Sequence, residues 1–140
     1  MGETTDRTVG RVVVEADGGS RGNPGPAAYG AVLKEAATGA VIAEDGTAIG
    51  TASNNVAEYR GLIAGLRLAG EHAPGALVEA RLDSKLVVEQ MSGRWKIKHP
   101  DMQVLAREAA AVAPEGTTYT WVPRAENAHA DRLANEALDG

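Results

Sequence analysis

Near its start the chain reads Val12-Val13-Val14-Glu15-Ala16-Asp17-Gly18-Gly19-Ser20, a β-branched run that ends in an aspartate and two glycines. The first part of this run, Val12 to Asp17, is typical of a short buried strand. The segment from Gly18 to Pro26 is rich in glycine and proline, and it predicts a turn because glycine adopts the positive φ that tight turns need. Asp17 is therefore expected at the carboxyl end of the first strand.

Two further stretches rich in β-forming residues follow, Tyr29 to Lys34 and Val41 to Ile49. The short segment Ala36-Ala37-Thr38-Gly39 separates them, so the two stretches predict a hairpin. Because this hairpin continues directly from the first strand, we expect the three strands to form an antiparallel meander.

From Asn55 onward, apolar residues recur every three or four positions, which predicts a helix. Its apolar face consists of Val56, Tyr59, Ile63, Leu66 and Gly70. Gly61 and Gly65 lie within this helix, where each costs about 1 kcal/mol relative to alanine. Such glycines are acceptable where a neighbouring element must come close.

The rest of the chain predicts two strands and three helices. The expected strands are Leu77 to Leu82 and Thr117 to Val122, and the expected helices are Ser84 to about Met91, Pro100 to about Val112, and a last helix with the apolar face Ala130, Leu133, Ala134, Ala137 and Leu138. The resulting order is βββαβααβα. Since parallel strands need crossover helices, this order predicts an α/β fold with a five-stranded mixed sheet, an antiparallel meander plus parallel strands, flanked by helices.

Length and composition indicate one soluble globular domain. A chain of 140 residues can bury one hydrophobic core, and 44% hydrophobic and 24% charged residues are ordinary values for a globular protein. No apolar run approaches the roughly 18 residues of a membrane span and no leader pattern is found, so we expect a cytoplasmic protein without membrane contact. We expect residues 1–10 to be a flexible N-terminal tail and residues 11–140 to be the single domain.

The absence of cysteine limits the chemistry of a functional site. Disulfides, thiolate zinc sites and thiol nucleophiles are excluded, and carboxylates and histidines remain as metal ligands, of which the hard oxygens suit Mg²⁺ or Mn²⁺. The net charge of -5 disfavours nucleic-acid binding by overall charge, so local basic clusters would have to supply it. The densest cluster, Arg94 to Lys98, is either an element that follows a nucleic-acid groove or a solvated loop whose tryptophan packs on the core.

Four acidic residues lie where predicted strands end or predicted helices begin: Asp17, Glu58, Asp83 and Asp131. Taken singly, they are explained as a turn aspartate, part of a helix cap, a helix N-cap and a solvated helix residue, respectively. Taken together, they indicate a site, because the carboxyl ends of neighbouring strands in an α/β sheet are where sites are usually assembled.

Mutual repulsion within such a cluster argues for bound cations. Two unit charges about 4 Å apart repel by about 4 kcal/mol at an effective dielectric constant near 20, so no fold would gather four carboxylates for stability. Two divalent ions about 4 Å apart would offset this repulsion, activate a water and stabilise the leaving oxygen of a phosphoryl displacement.

Four ordered motifs contain these acids: Asp17-Gly18-Gly19-Ser20-Arg21-Gly22-Asn23-Pro24-Gly25-Pro26-Ala27-Ala28-Tyr29-Gly30, Ser53-Asn54-Asn55-Val56-Ala57-Glu58-Tyr59, Leu82-Asp83-Ser84 and Ala130-Asp131-Arg132-Leu133-Ala134-Asn135. Together they resemble type 1 ribonuclease H, over roughly residues 11 to 138. The resemblance implies a ribonuclease H-like fold and an endonuclease that hydrolyses the RNA strand of RNA/DNA hybrids, leaving 5′-phosphate and 3′-hydroxyl ends. It also implies two Mg²⁺ or Mn²⁺ ions held by the four acids.

The same resemblance implies a set of substrate-binding residues: Gly18, Gly19, Ser20, Asn23, Ser53, Asn54, Asn55, Trp95 and Lys96. The asparagines would line the minor groove of the hybrid, and the backbone from the glycines to Ser20 would recognise the 2′-hydroxyls that distinguish RNA from DNA. Ser53 would help to seat a phosphate of the DNA strand, and Trp95 and Lys96 belong to a shortened form of the basic protrusion of some relatives. Turn and cap chemistry is the structural alternative for the asparagines and the serine.

The chain departs from the family pattern shortly before Asp131. Many members carry a loop histidine there, but this chain has Val122-Pro123-Arg124-Ala125-Glu126-Asn127 and resembles an archaeal-like branch in which an arginine takes that place. Because arginine stays protonated, Arg124 cannot serve as a base. It either binds and orients the scissile phosphate or the product, or pairs with Glu126 or the helix end. His129 is not a candidate base, since side chains two apart on a helix point to nearly opposite sides.

Two other functions remain open on the sequence alone, a module that binds hybrids without cutting them and a two-metal nuclease that acts on DNA. The four intact acids argue against the first, since binding needs no metal cluster. Asn23, Asn54 and Asn55 argue against the second. We expect the protein to be a monomer.

Overall fold

A single five-stranded sheet organises the protein. The computed structural model describes residues 10–140, so the predicted N-terminal tail lies, apart from Gly10, outside the described residues. The strands are β1 (Arg11–Ser20), β2 (Gly25–Glu35), β3 (Val41–Ala52), β4 (Leu77–Leu82) and β5 (Thr118–Trp121). Their order in the sheet is β3-β2-β1-β4-β5. β1 to β3 pair antiparallel, whereas β4 pairs parallel with both β1 and β5, so the predicted mixed sheet is confirmed.

Within residues 10–140, four α-helices flank the sheet: α1 (Asn54–His72), α2 (Lys85–Met91), α3 (Pro100–Val112) and α4 (Ala128–Asp139). The predicted order of strands and helices is confirmed. A 3-10 turn, Arg124–Asn127, precedes α4 and was not predicted. Within residues 10–140, no helix combines the length and the apolar composition needed to cross a membrane.

The main core lies between the sheet and α1. Alternate residues of β1, among them Val12 and Val14, point to one face of the sheet and are fully buried. They belong to the same apolar cluster as Tyr59, Ile63 and Leu66 of α1, which confirms these positions of the predicted helix face. Gly70 is exposed, so its assignment to this face is wrong, and Leu62 is buried in the cluster instead.

The turn predicted over Gly18 to Pro26 is shorter than expected. β1 continues through both glycines as far as Ser20, which pairs with Ala27 of β2. The turn itself is confined to residues 21–24, where Gly22 has a positive φ of 87°. Gly18 is therefore a strand residue, and its lack of a side chain needs another explanation.

Close packing of α1 explains Gly18. A Cβ atom at this position would collide with the backbone carbonyl of Ala57, in the second turn of α1. A Cβ atom at Gly61 would lie 2.7 Å from the carbonyl oxygen of Asp17, which is also too close. These glycines let α1 press against the end of β1, and this packing places Glu58 at the same end of the sheet as Asp17.

The helix α4 approaches the opposite face of the sheet over Gly30. A Cβ atom at Gly30 would collide with the carbonyl oxygen of Ala130. Gly30 is the β2 residue that pairs with Asp17 of β1. This contact therefore brings the first turn of α4, which carries Asp131, to the same end of β1.

Two serines cap the helices that follow strands. The Ser53 hydroxyl accepts a hydrogen bond from the backbone N–H of Val56 at 3.2 Å, and the Ser84 hydroxyl accepts one from Val87 at 3.2 Å. α2 accordingly begins one residue later than predicted, with Ser84 as its N-cap. Asp83 is not the N-cap, so the structural explanation considered for this acid is wrong.

Substitution of glycine within α1 tests this packing. Gly61→Ala is expected to destabilise the protein by about 1–3 kcal/mol, because the added methyl group overpacks the contact with Asp17. Gly70→Ala, in the same helix, is expected to stabilise the protein by about 0.5–1 kcal/mol, because no atom lies within 4 Å of that position. Urea denaturation measures both changes, and a gain of stability in Gly61→Ala would contradict the close approach of α1 to β1.

Candidate active site

A cavity of about 510 Å³ opens at the carboxyl ends of β1 and β4. Four acidic side chains line it, and each comes from a different part of the fold: β1, α1, the residue after β4, and α4. They are Asp17, Glu58, Asp83 and Asp131. The structure thus places the four acids singled out in the sequence around one cavity. The other lining residues are Gly18, Gly19, Ser20, Arg21, Asn54, Arg124, Ala134, Asn135 and Leu138.

The strand register explains why two of the acids are neighbours. β1 and β4 run parallel, and their last paired residues are Ala16 and Leu82. Asp17 follows Ala16 in β1, and Asp83 follows Leu82 at the end of β4. Adjacent strands of a sheet lie about 5 Å apart, so these two aspartates are neighbours. Their proximity follows from the fold and requires no loop to bring them together.

Burial and crowding change the ionisation of Asp17. Its pKa is raised to about 8 by burial first, then by the negative charge of Asp83, and then by a hydrogen bond with Asp131 and by the charge of that residue. A hydrogen bond from the backbone of Gly18 lowers the pKa but does not offset these effects. In the absence of a cation, this environment therefore favours the protonated form of the Asp17 carboxyl group.

Glu58 responds in the same direction. Burial raises its pKa to about 7, a hydrogen bond with the Ser84 side chain lowers it, and the charge of Asp83 raises it. Two of the four acids are thus disfavoured as anions when nothing compensates their charge. The placement of these acids in one cavity therefore does not contribute to the stability of the ligand-free protein.

The donor set fits a hard divalent cation. Within residues 10–140, no three acidic or histidine side chains already form a finished ligand group. The four carboxylates nevertheless line one cavity, and the negative charge of Asp83 and of Asp131 acts on Asp17. Carboxylate oxygens without sulfur donors suit Mg²⁺ or Mn²⁺, and a bound cation would draw the side chains together.

Arg124 lies on the rim of the same cavity. Its Nη2 is 3.6 Å from Oδ1 of Asp131, and its side chain is 79% exposed. Arg124 thus contacts Asp131, a site acid in the first turn of α4, rather than Glu126. A guanidinium in this place remains open to a second anion, because a single long contact uses little of its donor capacity.

Three of the predicted substrate-binding residues form a connected network beside the acids. Oδ1 of Asn54 accepts hydrogen bonds from the backbone N–H of Ser20 at 2.8 Å and from its hydroxyl at 3.1 Å. The backbone N–H of Asn54 donates to Oδ1 of Asn23 at 3.1 Å. This network fixes the β1–β2 turn against the start of α1, so the asparagines do carry the turn chemistry considered for them.

Ser53 and Asn55 lie on an adjacent surface rather than in the acidic cavity. They line a second cavity of about 490 Å³ together with His99 and Asp101, at the start of α3. Ser53 also caps α1, as the structural alternative proposed. His99 caps α3, since its Nδ1 accepts a hydrogen bond from the backbone N–H of Asp101 at 3.1 Å.

Trp95 and Lys96 lie away from both cavities, in the loop between α2 and α3. Trp95 is 45% exposed, so the alternative in which it packs on the core is wrong. Ile97 is the residue of this loop that packs against the core. Arg94 pairs with Glu89 through two hydrogen bonds of 2.5 and 3.0 Å, which neutralises part of the basic cluster.

Sequence reasoning missed three polar residues of the site. Arg21 and Asn135 line the cavity, and Asn127 donates a hydrogen bond to Asp83. All three stand inside the quoted motifs or immediately before one, but no spacing rule separates them from ordinary turn or helix residues. His129 bonds Glu44 at 2.5 Å, which confirms that it points away from the acids.

Comparison with protein families places most of the chain in one family. Residues 15–137 match the family described as reverse transcriptase-like. The bifunctional protein Rv2228c of Mycobacterium tuberculosis is 62% identical over 132 residues, which cover 92% of this chain and 36% of that protein. Ribonuclease HI of Halobacterium salinarum is 48% identical over 133 residues, covering 93% of this chain and 65% of that protein. The chain thus spans about a third of the length of the mycobacterial relatives it matches.

Solved structures agree with this placement. The N-terminal RNase H domain of Rv2228c has a TM-score of 0.86 and 60% identity, covering 92% of this chain and 94% of that one. LC11-RNase H1 in complex with an RNA/DNA hybrid has a TM-score of 0.87 and 36% identity, covering 92% of this chain and 97% of that one. Among the sequence relatives, ribonuclease H of Sulfurovum is 34% identical to this chain, and the match covers 90% of its length. With its sheet order and motifs, the chain belongs to the type 1 ribonuclease H family.

Proposed function

We propose that this chain is an endonuclease that hydrolyses the RNA strand of RNA/DNA hybrids and leaves 5′-phosphate and 3′-hydroxyl ends. The observation that carries the proposal is the cavity at the ends of β1 and β4, which is lined by four carboxylates from four parts of the fold. Burial first, and then the charge of Asp83, raises the pKa of Asp17 and of Glu58, and a bound divalent cation would offset this cost of ionisation. Membership of the ribonuclease H family supports the choice of substrate.

Two Mg²⁺ or Mn²⁺ ions would be held by Asp17, Glu58, Asp83 and Asp131. Such ions activate a water and stabilise the charge that develops on the phosphate oxygens. The protein supplies the ligands on rigid elements: two strand ends set by the sheet register and two helices pressed against the sheet over glycines. Rigid placement is what such chemistry requires, because small errors in position cost activity.

Recognition of the hybrid is assigned to the rim of the cavity. Because Oδ1 of Asn54 is occupied by Ser20, the NH₂ group of this asparagine is left to donate to the nucleic acid. The backbone of Gly18, Gly19 and Ser20 lines the cavity and can approach a ribose closely. Contacts with 2′-hydroxyls would direct cleavage to RNA. Ser53 and Asn55, on the adjacent surface, would contact the DNA strand, and Trp95 and Lys96 would extend the binding surface.

A cleavage assay with matched duplexes tests the proposal. An end-labelled RNA annealed to DNA is incubated with Mg²⁺, with Mn²⁺ or with EDTA, beside a DNA duplex of the same sequence. We expect internal cuts in the RNA of the hybrid with either metal and none with EDTA, and 3′-hydroxyl ends that a polymerase extends. Retention of the hybrid on a filter without cuts would instead assign a binding module, and cleavage of the DNA duplex would assign a DNA nuclease.

Arg124→Ala is expected to lower the turnover of the hybrid at least about tenfold, because a hydrogen bond to a charged group contributes about 1.5–3 kcal/mol and about 1.4 kcal/mol corresponds to a factor of ten. The free energy of unfolding should not change, since the residue is 79% exposed and exposed ion pairs contribute little. Arg132→Ala is the matched control, because Arg132 forms an exposed pair with Glu136 at 3.4 Å outside the cavity. Equal turnover of the two variants would remove Arg124 from the site.

A further inference from the structure

Asn127 is a fully buried polar residue at the junction between the 3-10 turn and α4. Its Nδ2 donates hydrogen bonds to the backbone oxygen of Ala16 at 2.8 Å and to Oδ1 of Asp83 at 3.0 Å. Both partners are acceptors, so the orientation of the amide is determined by the contacts: the NH₂ group must face them.

The contacts of Asn127 differ from those of a helix cap. An asparagine immediately before a helix usually caps it, by accepting a hydrogen bond from a backbone N–H of the first turn. Asn127 holds that position in front of α4 but makes no side-chain cap, and its Oδ1 is buried without a partner in the described residues. The amide is instead turned toward Ala16 and the site acid Asp83, with which it makes two buried hydrogen bonds.

The two hydrogen bonds connect three parts of the acidic site. Ala16 is the residue before Asp17, Asp83 is itself a site acid, and Asn127 stands one helical turn before Asp131 in α4. A single side chain therefore joins the end of β1, the end of β4 and the start of α4. No other hydrogen bond described for residues 10–140 links these three elements through one side chain.

We propose that Asn127 is a positioning residue of the active site, which orients the Asp83 carboxylate and fixes the spacing of the three aspartates for metal binding. The proposal rests on the proposed function. The hydrogen bond from Asn127 restrains one oxygen of the Asp83 carboxylate, a group that is repelled by the neighbouring charge of Asp17 when both are ionised. Partners that hydrogen-bond a metal ligand usually affect affinity or activity by about 10- to 100-fold.

Two variants test this role. Asn127→Ala removes the donor, and Asn127→Asp keeps the shape but replaces the NH₂ group with an oxygen that faces two acceptors. For both, we expect kcat on the hybrid to fall by about 10- to 100-fold and the affinity for Mn²⁺ to fall similarly, with KM for the hybrid changed by less than about twofold. The Mn²⁺ affinity is measured without substrate, from the electron paramagnetic resonance signal of free Mn²⁺.

Val78→Ala is the control for lost stability. Val78 is buried in β4, the strand that Asp83 follows, but lies at the other end of that strand. It should lower the thermal midpoint while kcat and Mn²⁺ affinity per folded molecule stay at wild-type values. If Asn127→Ala behaves in the same way, or if both Asn127 variants fold and retain wild-type kcat and Mn²⁺ affinity, the positioning role is wrong. Should Asn127→Ala fail to fold, the near-isosteric Asn127→Asp decides by the same two measurements.

The Mn²⁺ titration also separates this inference from the proposed function. If the wild-type protein binds Mn²⁺ but does not cut the hybrid, the proposed function fails, whereas a loss of Mn²⁺ affinity in the Asn127 variants would still support the positioning role. If the wild-type protein cuts the hybrid and the Asn127 variants cut it equally well, only the positioning role fails.

Discussion

Asp83→Asn should reduce cleavage of the hybrid by at least about 1,000-fold, whereas the metal-free protein should keep its stability or become more stable. A metal ion supplies several kcal/mol of charge stabilisation, and each 1.36 kcal/mol is a factor of ten, so loss of one anionic ligand has a large effect. The charge of Asp83 raises the pKa of both Asp17 and Glu58. Its removal therefore relieves repulsion when no cation is bound.

The hydrogen bond of Asp83 with Asn127 does not oppose this expectation. An asparagine at position 83 still presents an oxygen that can accept from Nδ2 of Asn127, which is 3.0 Å away in the wild-type protein. The change therefore removes charge and leaves the geometry of the contact in place. The buried partner keeps its acceptor, so no penalty for an unsatisfied group arises.

Cleavage rates with Mg²⁺ and urea denaturation in EDTA measure the two halves of this expectation. Glu115→Gln serves as the control, since Glu115 is an exposed acid in the connection between α3 and β5 and does not line the cavity. It removes one negative charge without touching the cavity and should change neither rate nor stability. A clear loss of metal-free stability in Asp83→Asn would mean that the carboxylate is a structural partner.

The sheet and the four acids could be predicted because strong local signals define them. Runs of β-branched residues predicted the strands, and the spacing of apolar residues predicted α1. The parallel register of β1 and β4 then makes Asp17 and Asp83 neighbours. Their shared placement with Glu58 and Asp131 depends on the glycines that let α1 and α4 come close. The sequence marks these glycines as anomalies in a helix or strand but does not say what approaches them.

The features that could not be predicted from the sequence depend on contacts between residues that are far apart along the chain. Gly18 resembles a turn glycine, and only the position of Ala57 in α1 shows that it is a packing glycine within β1. Asn127 resembles a helix cap, because its partners Ala16 and Asp83 are 111 and 44 residues away. Trp95 and Lys96 belong to a loop outside the acidic cavity, and their part in substrate binding stays a prediction.

The metal-free protein is expected to lose stability as the pH rises from about 5 to about 8. The pKa of Asp17 is raised from 3.8 to about 8 and that of Glu58 from 4.5 to about 7. Between these limits the folded state binds more protons than the unfolded state, so the free energy of unfolding decreases with rising pH. One pKa unit is about 1.4 kcal/mol, and we expect a decrease of at least this size, or about 4 °C in Tm.

Asp17→Asn isolates the contribution of this site from that of the other ionisable groups of the protein. In EDTA, the decrease in Tm between pH 5 and pH 8 should be smaller in this variant than in the wild-type protein, because the group responsible for the largest shift can no longer ionise. Parallel Tm curves for the two proteins would contradict the raised pKa of Asp17.

Addition of Mn²⁺ at pH 8 should reverse the effect in the wild-type protein, because a cation that binds only the folded state stabilises it by about 2.7 kcal/mol at 100 times its dissociation constant. For a domain of this size, the expected rise in Tm is about 10 °C. At pH 5 the rise should be smaller, since protons on Asp17 and Glu58 compete with the metal. Asp17→Asn should show little rise at either pH. A rise in wild-type Tm of the same size at both pH values would mean that Mn²⁺ binds elsewhere, and that these acids are not its ligands.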